Sequence, residues 1–530
     1  MASSDSTITR RDFVRGASAV GLAVANPGIP ALARGPRQVI FILGESVRAD
    51  MLNCYRNTGL KTPSLDRLAS EGMRFERAYN TQPVCAPARS SIWTGLYPHT
   101  NGVWGNSMPL GDTTHTLGQF LHDRWIDTAL IGKWHLDGSD YFGTGRAPGG
   151  WDPEYWYDMR DYLFELSPED RVRSRNKSTG DDPTWTEDLC FAKRCTDRAL
   201  RFLHDHEQKD FMLCICYDEP HDPSLCPQEY SKQYQNYVFP RSENVDDTLD
   251  GKPGEQRIWA GPRLNGKQPP LTDKQFFGSH TFVDAQIGRL LEQIDKSAPD
   301  ALVIYTSDHG VFLNSHRLTD KGPAMYDEIT RIPFIVRWPG HTPAGVVNKN
   351  LMSHIDIVGT LMDFWGFDVP PTLEGKSVLS SFTSAEALTR DAVFMEWGRY
   401  EVDHDGFGGY QPIRCVCDGR FKLTINLMSE DELYDLEEDP GELRNLIHSP
   451  EHSIRRNALH DRLLNWMNET RDPFRGYYWG HRPWRPEFAE TWQFFVMTRQ
   501  RKCDGYLPLE LDYDTGLPVR EFTRPKPGPA

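Results

Sequence analysis

Four short runs of consecutive apolar residues restrict the possible folds of this chain more than any other feature of the sequence. They lie at residues 39–43, 211–216, 302–305 and 333–336. A strand that is apolar at every position must be covered on both faces, which is typical of parallel sheets flanked by helices. The runs therefore predict buried strands of one parallel sheet.

Helical patterns separate these runs. Pro63 stands where a first helical turn would begin, and apolar residues repeat at helical spacing within residues 283–294 and 355–364. Strands that alternate with helices indicate an α/β sandwich with a mainly parallel central sheet. We assign residues 35–395 to this part, as a catalytic domain.

The sequence changes character beyond residue 395. Strand-like runs at 413–417 and 421–425 precede a helical pattern at 454–467. They predict a small C-terminal α+β subdomain over residues 396–470, an antiparallel sheet packed by one helix. Residues 471–530 are rich in Trp, Arg and Pro, and we expect this tail to wrap the surface.

The N-terminal residues 1–33 have the features of an export signal. Arg10-Arg11 is a twin-arginine pair, a mildly apolar run follows at 17–25, and Ala31-Leu32-Ala33 is a cleavage-site pattern. The apolar run is too short for a permanent membrane helix. We therefore expect the twin-arginine export machinery to deliver the protein to the periplasm or the outside of the cell.

Polar residues follow the predicted strands closely. Glu45 comes two residues after the first run, His221 a few residues after the second, and Asp308-His309 directly after the third. The carboxyl ends of parallel strands meet at one edge of a sheet, where active sites of such folds lie. These side chains are therefore predicted to converge.

The segment Cys85-Ala-Pro-Ala-Arg89, followed by Thr94-Gly95, is the most specific motif in the chain. It resembles the sulfatase signature, in which the cysteine is oxidised to formylglycine. A buried cysteine before a helix is the plain alternative. The resemblance continues over almost the whole chain after residue 36, through Gly132-Lys133-Trp134-His135, Glu219-Pro220-His221, Asp308-His309-Gly310 and Asp320-Lys321-Gly322.

The resemblance implies an alkaline-phosphatase-like sandwich that hydrolyses sulfate esters. It implies one divalent metal ion, held by Glu45, modified Cys85, Asp308 and His309. Mostly hard oxygen ligands favour Ca²⁺, with Mg²⁺ or Mn²⁺ possible. It also implies a formylglycine-generating maturation enzyme as a partner. The implied catalytic residues are Cys85, Arg89, Lys133, His135, His221 and Lys321.

The catalytic residues take separate roles under this resemblance. Arg89 and Lys133 fix the formylglycine and the sulfate, and Lys321 faces the sulfate. His221 is expected to protonate the leaving oxygen as general acid, and His135 to take a proton during release.

One departure from the family pattern lies in the first metal loop. Sulfatases usually carry two consecutive aspartates there, whereas this chain has Glu45-Ser46. The loop Gly44-Glu45-Ser46 looks like that of phosphoethanolamine transferases of the same superfamily, in which the glutamate binds metal. Glu45 is therefore expected to coordinate, with Ser46 as a weaker, neutral neighbour.

The substrate is expected to be a sulfated small molecule or glycan. Arg482 and Trp484 belong to a stretch in which cations and aromatic rings alternate, and such residues can bind sugars and sulfate. They could equally pack the tail onto the main domain. A net charge of −16 argues against nucleic acid as a partner. A phosphonate or phosphate ester hydrolase, and a catalytically impaired glycan-binding homologue, remain as alternative functions.

Overall fold

A seven-stranded sheet forms the centre of the molecule. The computed structural model describes residues 35–138, 141–401 and 408–488, together with four two-residue strand segments beyond them. The sheet consists of β1 (Gln38–Gly44), β2 (Met73–Tyr79), β3 (Asp127–Gly132), β4 (Phe211–Cys216), β5 (Leu302–Ser307), β6 (Arg331–Arg337) and β7 (Val346–Ser353). The strand order is β3-β4-β1-β5-β6-β2-β7.

Six of the seven strands run in the same direction, so the prediction of a mainly parallel sheet is confirmed. β1 pairs in parallel with β4 and β5, whereas β6 is antiparallel to both β5 and β2. The expectation that residues 333–336 form a parallel strand was therefore wrong. Two parallel neighbours need a connection that runs from one end of the strands back to the other. The connection from β5 to β6 begins and finishes at the same end of the strands, so β6 is antiparallel to β5.

Helices cover both faces of this sheet, and the two faces account for the apolar runs. Ile40 and Ile42 of β1 lie in one hydrophobic core, whereas Val39, Phe41 and Leu43 lie in the other. Successive side chains of a strand point to opposite faces, so a strand between two cores must be apolar throughout. The two cores thus fix β1, and with it the position of Glu45, at the middle of the molecule.

Each of the four predicted helical regions is helical, and the chain contains further helices that were not predicted. In chain order they are α1 (Pro63–Glu71), α2 (Cys85–Thr94), α3 (Pro98–Asn101), α4 (Leu117–His122), α5 (Met159–Glu165), α6 (Pro168–Arg173), α7 (Phe191–Asp205), α8 (Gln228–Ser231), α9 (Gly254–Ala260), α10 (Lys274–Ser297), α11 (Asp327–Thr330), α12 (Asp356–Trp365), α13 (Leu379–Thr383), α14 (Ser453–Glu469) and α15 (Tyr477–Gly480). Within the described part of the chain, none of them is long and apolar enough to cross a bilayer.

A second, antiparallel sheet of four strands confirms the small C-terminal α+β unit. Its strands are β8 (Val393–Trp397), β9 (Ile413–Cys417), β10 (Phe421–Asn426) and β11 (Glu432–Asp435), in the order β11-β10-β9-β8. Leu459 and Leu463 of α14 pack on one face of it, as predicted. The boundary predicted at 395/396 falls inside β8. The predicted signal, residues 1–33, lies outside the described residues.

Backbone segments of the tail form two further strand pairs. Arg501–Lys502 pairs with Glu521–Phe522, and Glu510–Leu511 pairs with Pro518–Val519. The rest of the tail after residue 488 lies outside the described residues.

Gly132 ends β3 immediately before Lys133 and allows no side chain. Its φ is +116°, and an added Cβ would lie 2.0 Å from the carbonyl oxygen of Cys216 on the adjacent strand. We predict that Gly132→Ala lowers the free energy of unfolding by about 3 kcal/mol, because it adds a backbone clash to an unfavourable φ. Denaturant unfolding measures the change.

Gly111→Ala is the matched control, because an added Cβ there meets no atom closer than 4.0 Å. Equal stability of the Gly132→Ala and Gly111→Ala proteins would contradict the prediction.

Candidate active site

Four strands of the central sheet deliver charged side chains to one place. Glu45 follows β1, Lys133 follows β3, Asp218 follows β4 and Asp308 follows β5. All four side chains are buried. The expectation from the sequence that polar groups converge at the carboxyl ends of the strands agrees with this arrangement.

Glu45 lies at the centre of the cluster and is completely buried. Its Oε2 accepts hydrogen bonds from Arg89 Nη2 and from Lys133 Nζ, each at 2.9 Å. Burial alone would raise the pKa of this carboxyl, but Lys133 and Arg89 outweigh it and hold the pKa well below its usual range. Glu45 is therefore a carboxylate at neutral pH.

Arg89 joins the two carboxylates from the next turn of α2. Its Nη2 lies 2.9 Å from Glu45 Oε2 and 2.9 Å from Asp308 Oδ2, while its Nη1 donates to the carbonyl of Lys133 at 2.8 Å. A guanidinium is suited to this role because its donors project in a fixed planar fork. Arg89 thus connects α2 with the ends of β1, β3 and β5.

His309 presents one ring nitrogen to the cluster. Its Nδ1 lies 2.8 Å from the carbonyl of Gly310, so we assign the proton to Nδ1. Nε2 then carries the lone pair and lies 3.3 Å from Cys85 Sγ and 3.7 Å from Glu45 Oε1. A histidine that ligates a metal is commonly oriented by such a bond from its other nitrogen.

Ser46 supports both carboxylates of the cluster. Its hydroxyl donates to Glu45 Oε1 at 3.0 Å, and its backbone N–H donates to Asp308 Oδ1 at 3.2 Å. The backbone of Ser46 has a φ of 54°, which turns the loop after β1. Ser46 therefore orients the two carboxylates, which explains how the loop accommodates the departure from two consecutive aspartates.

Cys85 begins α2 and faces the centre of the cluster. Besides His309, its Sγ lies 3.5 Å from Glu45 Oε1 and 3.9 Å from Lys133 Nζ. Burial and the charge of Glu45 raise the pKa of the thiol to about 12, although Lys133 and Lys321 oppose the rise. An unmodified Cys85 is therefore a neutral thiol at physiological pH.

The two predicted catalytic histidines lie beside this cluster and are half-buried. Burial, Lys133 and Arg89 lower the pKa of His135 well below its usual range, and its Nδ1 has no hydrogen-bond partner within the described residues. Burial and Lys133 lower the pKa of His221 to about 4. Both rings are thus neutral at neutral pH, and His135 is free to accept a proton.

Lys321 is a further buried cation near the cluster. Its Nζ lies 3.1 Å from Asp320 and 5.9 Å from the ring centre of Tyr400. Burial works against its charge, but Asp320 and Cys85 raise its pKa well above the usual value, so the side chain stays cationic. Lys321 is therefore close enough to Cys85 and Glu45 for their charges to interact.

Three residues of the site were missed by the sequence analysis. Asp218 lies 3.2 Å from Lys133 Nζ, Tyr141 accepts a hydrogen bond from Lys133 at 3.1 Å, and Asn106 Oδ1 accepts the N–H of Ala86 at 3.0 Å. Asp218 follows β4 by two residues, so the strand-end rule could have found it. Tyr141 and Asn106 lie in loops, where no pattern marks them.

Opposite charges nearly balance in the cluster before any ion is added. The acidic side chains are Glu45, Asp218, Asp308 and, beside Lys321, Asp320, and the basic ones are Arg89, Lys133 and Lys321. Four acidic and three basic side chains leave little net charge. A bound divalent cation would leave the site positive, which suits an anionic ester.

The residues present fit a metal ion. Ligand atoms of Glu45, Cys85, Asp308 and His309 all lie within 4.8 Å of one another. Two carboxylates and one oriented imidazole are a donor set for a divalent cation of the Ca²⁺, Mg²⁺ or Mn²⁺ type.

A second group with similar spacing, His99, Glu396 and Asp472, does not fit a metal. The guanidinium of Arg414 pairs with Asp472 at 2.6 and 3.1 Å, so a cation already neutralises that site.

Arg482 and Trp484 lie elsewhere, in a buried contact with the small sheet. The guanidinium of Arg482 donates to both oxygens of Asp431, at 2.8 and 2.9 Å, and Trp484 Nε1 donates to Asp431 Oδ2 at 2.7 Å. Trp484 also packs on His460 of α14. These contacts support the alternative that the pair packs the tail onto the small sheet.

Comparison with known proteins agrees with the motif. A family model described as Sulfatase matches residues 37–367, and one described as N-sulphoglucosamine sulphohydrolase, C-terminal, matches residues 314–469. "Uncharacterized sulfatase YidJ" of Escherichia coli (strain K12) is 40% identical, over 91% of this chain and 97% of that protein. The first model alone spans more than half of the chain.

Two further relatives extend the comparison. "N-acetylglucosamine-6-O-sulfatase" of Bacteroides thetaiotaomicron is 25% identical over 82% of this chain and 87% of that protein. The solved structure of BT4656 in complex with its substrate D-glucosamine-2-N,6-O-disulfate has a TM-score of 0.69 at 22% identity, covering 83% of this chain and 99% of that one. The latter shows the fold alone and confirms the alkaline-phosphatase-like sandwich.

Glu45→Gln tests whether this carboxylate holds the metal. The change keeps the shape of the side chain but removes its charge, so we predict metal binding at least about tenfold weaker, with activity reduced in parallel. Elemental analysis after dialysis against a limiting metal concentration measures the bound ion.

Glu292→Gln, on the exposed side of α10, is the control for loss of one negative charge. Full metal stoichiometry in the Glu45→Gln protein would show that Glu45 is not a ligand.

Proposed function

Because the chain belongs to the sulfatase family and is a sulfuric ester hydrolase, we propose that it removes sulfate from a sulfated carbohydrate. We further propose that it uses an aldehyde made from Cys85, with one divalent metal ion. The observation that carries this proposal is the position of Cys85 Sγ, at 3.3–3.9 Å from His309, Glu45 and Lys133 in a fully buried cluster.

The chemistry of residue 85 supports its modification. A thiol with a pKa of about 12 is a poor nucleophile at neutral pH, because only the thiolate attacks. Formylglycine would supply a hydrated aldehyde whose one oxygen bonds to sulfur and whose other oxygen allows sulfate to leave. The proposal therefore requires a formylglycine-generating maturation enzyme as a partner.

The metal would be held by Glu45, Asp308, His309 and the modified residue 85. Ca²⁺ fits the oxygen-rich set best, with Mg²⁺ or Mn²⁺ as alternatives. When bound, the ion would polarise a sulfate oxygen and favour the ionised form of the nucleophile.

The cations of the chain bind and orient the sulfate group. Lys133 is held 3.9 Å from Sγ of Cys85, and Arg89 lies one helical turn further along α2. Lys321 brings a third positive charge, which interacts with Cys85 and Glu45. Fixed cations stabilise the negative charge of the transferring group without reorganising, which is the main source of rate in such transfers.

The histidines move the protons. His221 Nδ1 lies 3.2 Å from the carbonyl of Asp222, which leaves Nε2 to give a proton to the leaving oxygen. A bound sulfate raises the pKa of His221, because a negative neighbour favours the protonated ring. His135 is neutral, and its Nδ1 has no partner among the residues that the structure describes, so it takes the proton released when sulfate departs.

A carbohydrate is the substrate class that the relatives support best. One relative is named as an N-acetylglucosamine-6-O-sulfatase, and the similar structure of BT4656 is a complex with its substrate, a disulfated glucosamine. We also propose that residues 1–33 direct the protein through the twin-arginine system to the periplasm or beyond, where such glycans are met. Folded export is compatible with modification of Cys85 before translocation.

A matched panel of esters tests the function. We predict that kcat/KM for 4-nitrophenyl sulfate exceeds that for 4-nitrophenyl phenylphosphonate, and that glucosamine 6-sulfate is desulfated. The physical reason is the trio of fixed cations, which matches the three terminal oxygens of a sulfate ester. Released nitrophenol and released sulfate are measured separately.

The Cys85→Ala protein is the control and should be inactive on every ester. A preference for the phosphonate would assign the chain to the alternative hydrolase. Binding of the sulfated sugar without any turnover would favour the impaired glycan-binding homologue.

A further inference from the structure

Tyr141 contacts three catalytic side chains at once. Its hydroxyl accepts a hydrogen bond from Lys133 Nζ at 3.1 Å and donates one to the carboxylate of Asp218. Its ring centre lies 5.3 Å from that of His135 and 4.7 Å from that of His221. The ring therefore fills the space beside both histidines, while the hydroxyl reaches the lysine.

The ammonium of Lys133 is held from two sides. Glu45 accepts one of its hydrogen bonds at 2.9 Å, and Tyr141 with Asp218 provides acceptors at 3.1 and 3.2 Å on another side. Lysine is a flexible chain with a point charge at its end, so its position depends on the acceptors around it. Without the Tyr141 hydroxyl, the ammonium would follow Glu45 and Asp218 alone.

The orientation of His221 depends on few contacts. Among the described residues, its ring makes one hydrogen bond, from Nδ1 to the carbonyl of the next residue, Asp222, at 3.2 Å. The Tyr141 ring lies against it, tilted by 36°. A ring that is half-buried and held at one atom can rotate, and the tyrosine face limits that rotation.

We propose that Tyr141 is a positioning residue for sulfate ester hydrolysis: its hydroxyl fixes Lys133 against the sulfate, and its ring fixes His221 against the leaving oxygen. The inference rests on the proposed function of the site. It assigns separate duties to the two ends of one side chain, and these duties can be separated by experiment.

Two substitutions divide the side chain. Tyr141→Phe removes the hydroxyl and keeps the ring, whereas Tyr141→Ala removes both. Tyr155→Phe is the matched control. The Tyr155 hydroxyl also donates to a carboxylate, Asp205 Oδ2, at 3.0 Å, but its ring packs on Phe202 and His206 instead of the catalytic histidines. Thermal unfolding of each protein establishes that the fold is retained.

The readout is the dependence of kcat/KM on the leaving group. A nitrophenol leaves readily without a proton, whereas a sugar alcohol needs one from the general acid. The series therefore runs from 4-nitrophenyl sulfate through phenyl sulfate to glucosamine 6-sulfate, with His221→Ala measured alongside.

Tyr141→Phe should lower kcat/KM about tenfold for every ester, because a hydrogen bond to a charged group is lost. Tyr141→Ala should lower kcat/KM for the sugar sulfate by a factor at least about 30 times larger than for the nitrophenyl ester, and His221→Ala should show the same preference. The double variant Tyr141→Ala/His221→Ala should be no more selective than His221→Ala alone, since both act on the same proton transfer.

Wild-type rates in Tyr141→Phe, or an equal loss for all esters in Tyr141→Ala, would overturn the inference while leaving the proposed function intact. A wild-type protein that hydrolyses no ester of the series would overturn the proposed function itself.

Discussion

The structure depends on the pairing of Glu45 with Arg89 and Lys133 in a fully buried place. A carboxylate without partners there would cost several kcal/mol, and so would either cation. Arg89 and Lys133 each donate a hydrogen bond of 2.9 Å to Glu45 Oε2, and these bonds connect α2 and the end of β3 with the end of β1. The pairing does not make the fold especially stable, since buried ion pairs offset their own desolvation at best. What it provides is a fixed arrangement of charge around residue 85.

The architecture explains why such an arrangement is possible. Two hydrophobic cores clamp β1 from both faces, and Gly132 lets β3 approach β4 closely enough to place Lys133 beside Glu45. The small sheet is joined to the α11 region by a buried cation, Lys422 of β10, which pairs with Asp327 and Glu442. Rigid strands therefore carry the charged groups, and loops supply the groups that refine them.

The sequence predicted the elements that have a regular apolar pattern and the residues that closely follow a strand. Continuous apolar runs predicted four of the seven strands of the central sheet, and the rule of strand ends placed Glu45 and Asp308 at the cluster. The antiparallel direction of β6 could not be predicted, because apolar runs carry no information about strand direction. Tyr141 was missed since it lies in an irregular loop. The sequence left two roles open for Arg482, because its buried partner, Asp431, lies 51 residues away.

The most direct test of the account is the chemical state of residue 85 in active protein. Trypsin should release the peptide of residues 78–89, in which Cys85 is the only cysteine. The account predicts that mass spectrometry of protein with full turnover finds an aldehyde in place of the thiol, reactive towards hydrazides. Fully active protein in which residue 85 is entirely an unmodified thiol would contradict it.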